Sequence, residues 1–147
     1  MPKQQITIEF SADAVDVTSA SSLPSIGCGA ESIFIGRTRP EHHDIFGDLT
    51  ALEYDCYQEM AKNEIERIAE EALKRYGVWQ ISVVHSIGIV AINEASVVIS
   101  IGSDHRDNAQ AACKFMIDAL KQHAPIWKQE LWEDGTTWAN GEVLTKA

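Results

Sequence analysis

The sequence predicts an α+β fold in which a mixed sheet packs against two main helices. Two segments, at about 57–76 and 106–123, carry apolar residues at the i, i+3, i+4 spacing of an amphipathic helix. Shorter β-branched or alternating segments outnumber these helices and do not alternate with them regularly, as they would in an α/β protein. The 147 residues contain no repeat and no low-complexity linker, so we expect a single domain over residues 1–147.

The first half of the chain is predicted to supply three strands, because short apolar runs there are separated by turn-forming residues. These strands are expected at Ile6–Phe10, Ala30–Ile35 and Leu49–Cys56. The stretch 11–28 is rich in Ser, Ala and Asp and favours a weak helix or a loop. Residues 37–48 include a proline, two histidines and a glycine, which is typical of a mobile loop.

The two helices have recognisable ends. Gly77 follows the first helix and suits the left-handed conformation with which helices often end. Asp104 is the expected N-cap of the second helix, and Pro125 ends it. Further strands are expected at Gln80–His85, Ile87–Ile92 and Ala95–Ser103, and as short strands in the tail that holds Trp127, Trp132 and Trp138.

The composition excludes several classes of partner. Twelve Lys and Arg against 22 Asp and Glu give a net charge of −10, which disfavours binding to nucleic acid or to an anionic membrane. The longest apolar stretches are too short to span a bilayer, and the N-terminus does not read as a signal peptide. Three cysteines without a CxxC pair predict neither a disulfide framework nor a zinc site, so we expect a cytoplasmic protein.

Four cationic segments stand out against this acidic background. They are Arg37 and Arg39 after a predicted strand, His105 and Arg106 at a strand-to-helix junction, Lys121 in the last turn of the second helix, and Lys128 after Trp127. A helix N-terminus favours a bound anion through its N–H groups and its dipole. Taken singly, each segment has an ordinary explanation: solvated loop arginines, a capped helix start, pairing of Lys121 with Asp118, and a snorkelling lysine.

Other polar residues predict no site. His42 and His43 are adjacent in a loop and lack a third metal ligand at a suitable spacing, so no metal is expected. His85 lies in a predicted strand and is interpreted as a half-buried histidine whose hydrogen bonds are satisfied. Cys113 falls within a helix and lacks the electropositive setting of a helix N-terminus, so a nucleophilic role is not expected.

Taken in order, these segments resemble the catalytic (large) subunits of molybdopterin synthases from about Gly29 to Trp138. The matching residues are Gly29-Ala30, Phe34 to Arg39, Leu52-Glu53-Tyr54 with Tyr57 and Met60-Ala61, His85 with Ile87-Gly88, Ser103 with His105-Arg106, Asp118 to Lys121, and Pro125 to Glu130. The run Pro-Ile-Trp-Lys at 125–128 is highly specific. Two positions depart from the pattern: many members have arginine in place of Ser86, and glycine before an acidic residue in place of Asn93-Glu94.

The resemblance implies an α/β hammerhead-type fold and a homodimer of this chain, with a small ubiquitin-like subunit docked at each end to form a heterotetramer. It implies a sulfurtransferase, in which a thiocarboxylate at the small subunit's C-terminal glycine gives its sulfur to cyclic pyranopterin monophosphate. Two transfers make the dithiolene of molybdopterin in molybdenum cofactor biosynthesis. No cofactor is implied beyond this substrate and the partner's thiocarboxylate.

The resemblance also assigns residues by position. It implies substrate binding by Arg37, Thr38, Arg39, His105, Arg106, Lys121, Lys128, Gln129 and Glu130. We expect Lys121 to be the principal catalytic residue, with Lys128 assisting, and His105 and Arg106 to come from the neighbouring chain. The physical chemistry agrees, because the substrate phosphate and the thiocarboxylate are both anions. Two unit charges about 4 Å apart repel by about 4 kcal/mol at an effective dielectric near 20, and the cations would cancel this repulsion.

Two interpretations from other classes stay open. One is a non-catalytic scaffold that holds a ubiquitin-like partner or an anionic ligand, which would fit the departure at Ser86. Mere anion binding, however, would tolerate arginine in place of either Lys121 or Lys128. The other is a thiol transferase that depends on Cys113 and predicts inactivation by alkylation, whereas the lysine mechanism predicts none.

Overall fold

The computed structural model describes residues 4–21, 27–139 and 143–146 and contains ten strands and three helices in those ranges. The strands are β1 Gln5–Ser11, β2 Ala30–Arg37, β3 His42–His43, β4 Gly47–Cys56, β5 Gln80–Ser86, β6 Ile89–Ala91, β7 Ala95–Ser103, β8 Ile126–Trp132, β9 Gly135–Trp138 and β10 Val143–Lys146. The helices are α1 Val17–Ala20, α2 Gln58–Tyr76 and α3 Arg106–His123. The predicted α+β class and both long helices are confirmed.

A four-stranded mixed sheet carries the helices. Its order is β1-β5-β7-β2, in which β1 runs parallel to β5 and the other neighbours are antiparallel. Helices α2 and α3 share one core with this sheet, where Ile65, Ile68, Ile99, Ile101 and Met116 are all less than 2% exposed. Burial of each such side chain contributes about 1.5–3 kcal/mol, so this core is the main reason that the helices pack here.

The helix ends show where local sequence decides structure and where it does not. At the end of α2, Gly77 adopts φ +65°, and its N–H donates to the Leu73 carbonyl at 3.0 Å, as predicted. The prediction of Asp104 as the N-cap of α3 is wrong. His105 occupies that position, with extended backbone and without a side-chain cap bond, and its carbonyl accepts from the Ala109 N–H at 3.2 Å.

A second, antiparallel sheet lies beside the first. Its strands follow the path β10-β9-β8-β4-β3, and β6 also pairs with β4. The prediction that residues 37–48 form a loop throughout is wrong, because His42 and His43 pair with the start of β4. The His43 ring packs 4.7 Å from the Phe46 ring and 5.3 Å from the Trp132 ring. This short strand therefore depends on a residue about 90 positions away, which local propensity does not reveal. In the part of the chain that the structure describes, no helix is long and apolar enough to cross a membrane.

Candidate functional site

A cleft of about 690 Å³ opens between the two sheets at the C-terminal end of α3. Strands β2, β4, β5, β7, β8 and β9 and helix α3 all contribute to its wall. Its lining residues are Phe34, Gly36, Arg37, Leu52, Tyr54, His85, Ser96, Val97, Ile117, Leu120, Lys121, Ile126, Trp127, Lys128, Trp138 and Ala139.

The charge of the cleft is opposite to that of the chain. Arg37, Lys121 and Lys128 line it, and none of its described lining residues is an aspartate or a glutamate. The whole chain nevertheless has ten more acidic than basic residues. Aromatic side chains, including Tyr54 and Trp127, form much of the remaining wall. Such a cavity favours an anionic ligand that also has a flat ring.

Lys121 reaches the cleft from the last turn of α3. Leu120 is buried next to it, which fixes the helix face, while Lys121 itself is exposed on the cleft wall. The carboxylate of Asp118 pairs with Lys114 at 2.6 Å, so the ordinary explanation of Lys121 by an ion pair with Asp118 is wrong. The negative end of the helix dipole also favours a cation at this position. The Lys121 ammonium can therefore serve a ligand in the cleft.

Lys128 stands in the middle of β8, directly opposite Tyr54 in the register of β8 with β4. Residues opposite each other in antiparallel strands project on the same face, so both side chains face the cleft. Tyr54 is buried and its hydroxyl is hydrogen-bonded to the Ser96 side chain, while burial raises the pKa of this phenol. Lys128 is half-buried and lies opposite the Tyr54 phenol, which is uncharged at neutral pH.

His85 belongs to the cleft, which the sequence did not reveal. Its side chain is buried, and its ring meets the Tyr54 ring edge-on at 5.1 Å. Nδ1 lies 2.7 Å from the Ser86 carbonyl oxygen. Burial lowers the pKa of His85, and the positive charge of Lys128 lowers it further. The predicted hydrogen-bonded histidine is confirmed for Nδ1, which bonds to the Ser86 carbonyl. The prediction did not include the ring as part of a cleft wall. His85 lies near Lys128 because of the way β4, β5 and β8 are placed in the two sheets, and a local sequence pattern does not show that placement.

Arg37 stands at the rim of the cleft on the last residue of β2. Its Nη1 donates to the Asn93 carbonyl at 2.9 Å, which anchors the guanidinium and leaves its other N–H groups for a ligand. Gly36 precedes it on the cleft wall. A Cβ at Gly36 would lie 2.8 Å from Cγ1 of Val97, so glycine lets β2 pass close to β7 here.

The next two predicted residues do not line the cleft of their own chain. Thr38 is 1% exposed, and its hydroxyl donates to the Val90 carbonyl at 3.2 Å, so it ties β2 to the second sheet. Arg39 is exposed and pairs with Glu41 at 3.1 Å. Within one chain, Arg39 is therefore a solvated loop arginine, which is the ordinary explanation given above for this segment.

Gln129 and Glu130 also lie outside the described lining of the cleft. Glu130 accepts a hydrogen bond from the Thr137 hydroxyl at 2.9 Å, and that hydroxyl in turn accepts from Nε1 of Trp132 at 2.9 Å. Gln129 stands opposite Trp138 in the pairing of β8 with β9. These contacts hold the end of β8 that follows Lys128.

His105 and Arg106 lie at the opposite end of α3 from Lys121. Fifteen residues separate Arg106 from Lys121, which is about 22 Å along a helix. Both residues are exposed. Within one chain they therefore cannot share the cleft with Lys121, and a second copy would have to supply them.

The remaining sequence candidates show structural roles. His42 pairs with Asp48 at 2.8 Å, and Nδ1 of His43 accepts the backbone N–H groups of Ile45 and Phe46. Among the residues that the structure describes, no group of three or more His, Cys, Asp or Glu could hold a metal ion. Cys113 is buried, and burial raises the pKa of its thiol, which lowers its reactivity as a nucleophile.

Comparison with known proteins gives a consistent set of relatives. Residues 8–123 match the family model described as MoaE protein. The molybdopterin synthase catalytic subunit of Homo sapiens is 37% identical over 137 residues, which cover 92% of this chain and 72% of that protein. The subunit of the same name from Bacillus subtilis is 38% identical over 120 residues, which cover 81% and 74%. The crystal structure of molybdopterin synthase from Staphylococcus aureus superposes with a TM-score of 0.78 at 31% identity, covering 94% of this chain and 97% of that one.

Proposed function

The chain belongs to the MoaE protein family, and from this premise we propose that it is the catalytic subunit of a molybdopterin synthase in molybdenum cofactor biosynthesis. The observation that carries the proposal is the cleft, in which Arg37, Lys121 and Lys128 meet without a described carboxylate. Its aromatic wall suits a pterin ring, and its cations suit a phosphate.

The proposed reaction is sulfur transfer from a small ubiquitin-like subunit to cyclic pyranopterin monophosphate. The thiocarboxylated C-terminal tail of that subunit enters the cleft and gives its sulfur to the substrate. A water oxygen replaces the sulfur, so each carrier leaves as a carboxylate, and two carriers are consumed for each dithiolene. The name that the relatives share, catalytic subunit, supports the existence of a second subunit.

The cations make the meeting of two anions possible. Without them, a phosphate and a thiocarboxylate about 4 Å apart would repel by about 4 kcal/mol at an effective dielectric near 20. Arg37 suits the phosphate, because a planar guanidinium can bind two oxygens. Lys121 is the principal catalytic residue and Lys128 assists it, since an ammonium can both neutralise charge and give up a proton.

The position of His105 and Arg106 supports a homodimer. Because they lie about 22 Å from Lys121 along α3, they reach a cleft only if the neighbouring chain presents the start of its own α3. That helix start would add a positive dipole end to the substrate site. Two copies of this chain with two small subunits make the proposed heterotetramer. We place it in the cytoplasm, because Cys28, Cys56 and Cys113 are all free thiols, as a reducing compartment keeps them.

The scaffold alternative loses its main support in the structure. Ser86 is fully buried, and its hydroxyl accepts the Gly88 N–H at 3.1 Å in the turn after β5. Asn93 has φ +72°, a conformation that favours glycine and that asparagine also tolerates, which accounts for the exchange of glycine for asparagine there. Both departures from the family pattern are therefore compatible with an intact cleft.

The test is reconstitution from purified components. The chain is mixed with thiocarboxylated small subunit and cyclic pyranopterin monophosphate, and molybdopterin is measured. We expect product with the thiocarboxylated carrier and none with the carboxylate form. A folded chain that binds the carrier without making product would contradict the proposal and favour the scaffold.

A further inference from the structure

The proposed chemistry uses the cations of the cleft but gives no task to a buried imidazole in its wall. That group is His85, whose ring forms part of the cleft wall on β5. A histidine in an ordinary core needs no contact with a ligand cavity. Its position between Tyr54 and the charge of Lys128 therefore calls for an explanation.

The hydrogen bond of His85 fixes its tautomer. A carbonyl oxygen can only accept, so the 2.7 Å contact with Ser86 places a proton on Nδ1. In the neutral ring, Nε2 then carries a lone pair and no proton. The edge-on Tyr54 ring holds the imidazole plane from the side of β4. The protein thus presents a fixed hydrogen-bond acceptor at the wall of a cationic cleft.

The surroundings of His85 favour this neutral form on balance, because burial and the Lys128 charge lower its pKa and outweigh the Ser86 carbonyl bond, which raises it. Lys128 of β8 bears a positive charge near it, Lys121 of α3 and Arg37 of β2 add two more across the cleft, and Tyr54 of β4 is uncharged at neutral pH. No described lining residue is a carboxylate that would stabilise an imidazolium. Protonation of His85 would therefore place a fourth positive charge beside three others in a partly desolvated site.

We propose that His85 is a positioning residue for Lys128: when a ligand occupies the cleft, the Lys128 ammonium donates a hydrogen bond to the unprotonated Nε2. This bond fixes the Lys128 charge in the cleft, where a half-buried lysine with four rotatable bonds would otherwise adopt several rotamers. Because the activity readout rests on the proposed function, the test also includes a measurement that needs no turnover.

Two substitutions separate the two ring nitrogens. His85→Asn retains a polar group near Nδ1, which can still reach the Ser86 carbonyl, but has nothing at Nε2. His85→Gln retains a polar group near Nε2. We expect His85→Asn to lower kcat about tenfold to a hundredfold with an unchanged KM for the carrier, and His85→Gln to retain most of the activity. In the wild type, kcat falls as the pH drops through the pKa of His85, and this acid limb disappears in His85→Gln.

The activity-independent measurement is an NMR titration of the imidazole. The ¹⁵N shifts should show Nδ1 protonated and Nε2 unprotonated, and Lys128→Met should raise the pKa of His85. Lys114→Met is the matched control, because Lys114 is exposed and paired with Asp118 outside the cleft, and it should leave that pKa unchanged. The proposal is overturned if Lys128→Met does not move the pKa, or if His85→Gln loses as much activity as His85→Asn. If the wild type makes no product, the proposed function fails while the titration still decides the pairing of His85 with Lys128.

Discussion

Replacing Lys121 by methionine removes one charge from the cleft and keeps a side chain of similar length. A unit charge about 4 Å from an anion contributes about 4 kcal/mol at an effective dielectric near 20 and about 1 kcal/mol in bulk water. Lys121 is exposed on the cleft wall, so its contribution lies between these limits, at about 2 kcal/mol. Since each 1.36 kcal/mol is a factor of ten, we expect the lost charge alone to lower kcat/KM about 30-fold and the lost proton transfer to lower it further.

The assay is dithiolene formation from thiocarboxylated small subunit and cyclic pyranopterin monophosphate. Lys121→Arg separates charge from proton transfer, because arginine keeps the charge but does not release a proton near neutral pH. We expect it to restore KM without restoring kcat. Lys114→Met is the control and should match the wild type, because Lys114 lies about two turns earlier on the same helix, outside the cleft, and pairs with Asp118. The reasoning is refuted if folded Lys121→Met retains kcat/KM within twofold of the wild type.

Four further results are expected. Raising the ionic strength from about 0.1 M to 1 M shortens the Debye length from about 10 Å to 3 Å, so kcat/KM should fall; a flat salt dependence would argue against a cationic site. Alkylation with iodoacetamide should leave activity intact, because Cys113 is buried and its thiol pKa is raised; inactivation at that residue would favour the thiol transferase. The Asp48 hydrogen bond raises the pKa of His42, so it stabilises the fold below the ordinary imidazole pKa and fades as the pH rises through the folded-state value. Urea unfolding should therefore show His42→Gln to be less stable than the wild type at about pH 5 and equal to it at about pH 9. Met116→Ala, in the core between α3 and the mixed sheet, should lower the free energy of unfolding by about 2–5 kcal/mol, and a loss below 1 kcal/mol would show that the core repacks.

The elements that the sequence predicted best are those stabilised by their own periodicity. Helices α2 and α3 bury one face each, and their apolar spacing is readable without a partner. The predictions for β3 and for the start of α3 are wrong, because the local sequence pattern decides neither of them. Strand β3 is stabilised by the packing of His43 against Trp132. Helix α3 has its N-cap at His105, one residue after the predicted Asp104. Tertiary contacts and exact chain direction at a junction are not encoded in a local pattern.

The residues of the candidate site likewise fall into two groups: those that the sequence predicts and those that only the structure reveals. Arg37, Lys121 and Lys128 could be selected from the sequence, because cations next to buried elements stand out in an acidic chain. Tyr54 and His85 could not be assigned to a cleft, because they read as ordinary strand residues. Their place follows from the register of β4 with β8 and from the pairing of β5 in the other sheet. A charge pattern thus identifies what binds an anion, and strand register decides what surrounds it.

The most direct test of the central claim compares the wild type with the double variant Lys121→Met, Lys128→Met in one reconstitution. Mass spectrometry counts the carriers converted from thiocarboxylate to carboxylate, and molybdopterin is measured in the same sample. The wild type should consume two thiocarboxylates for each molybdopterin formed, while the folded double variant should bind the carrier and leave it thiocarboxylated. Equal conversion by the two proteins would contradict the claim that this cationic cleft performs the sulfur transfer.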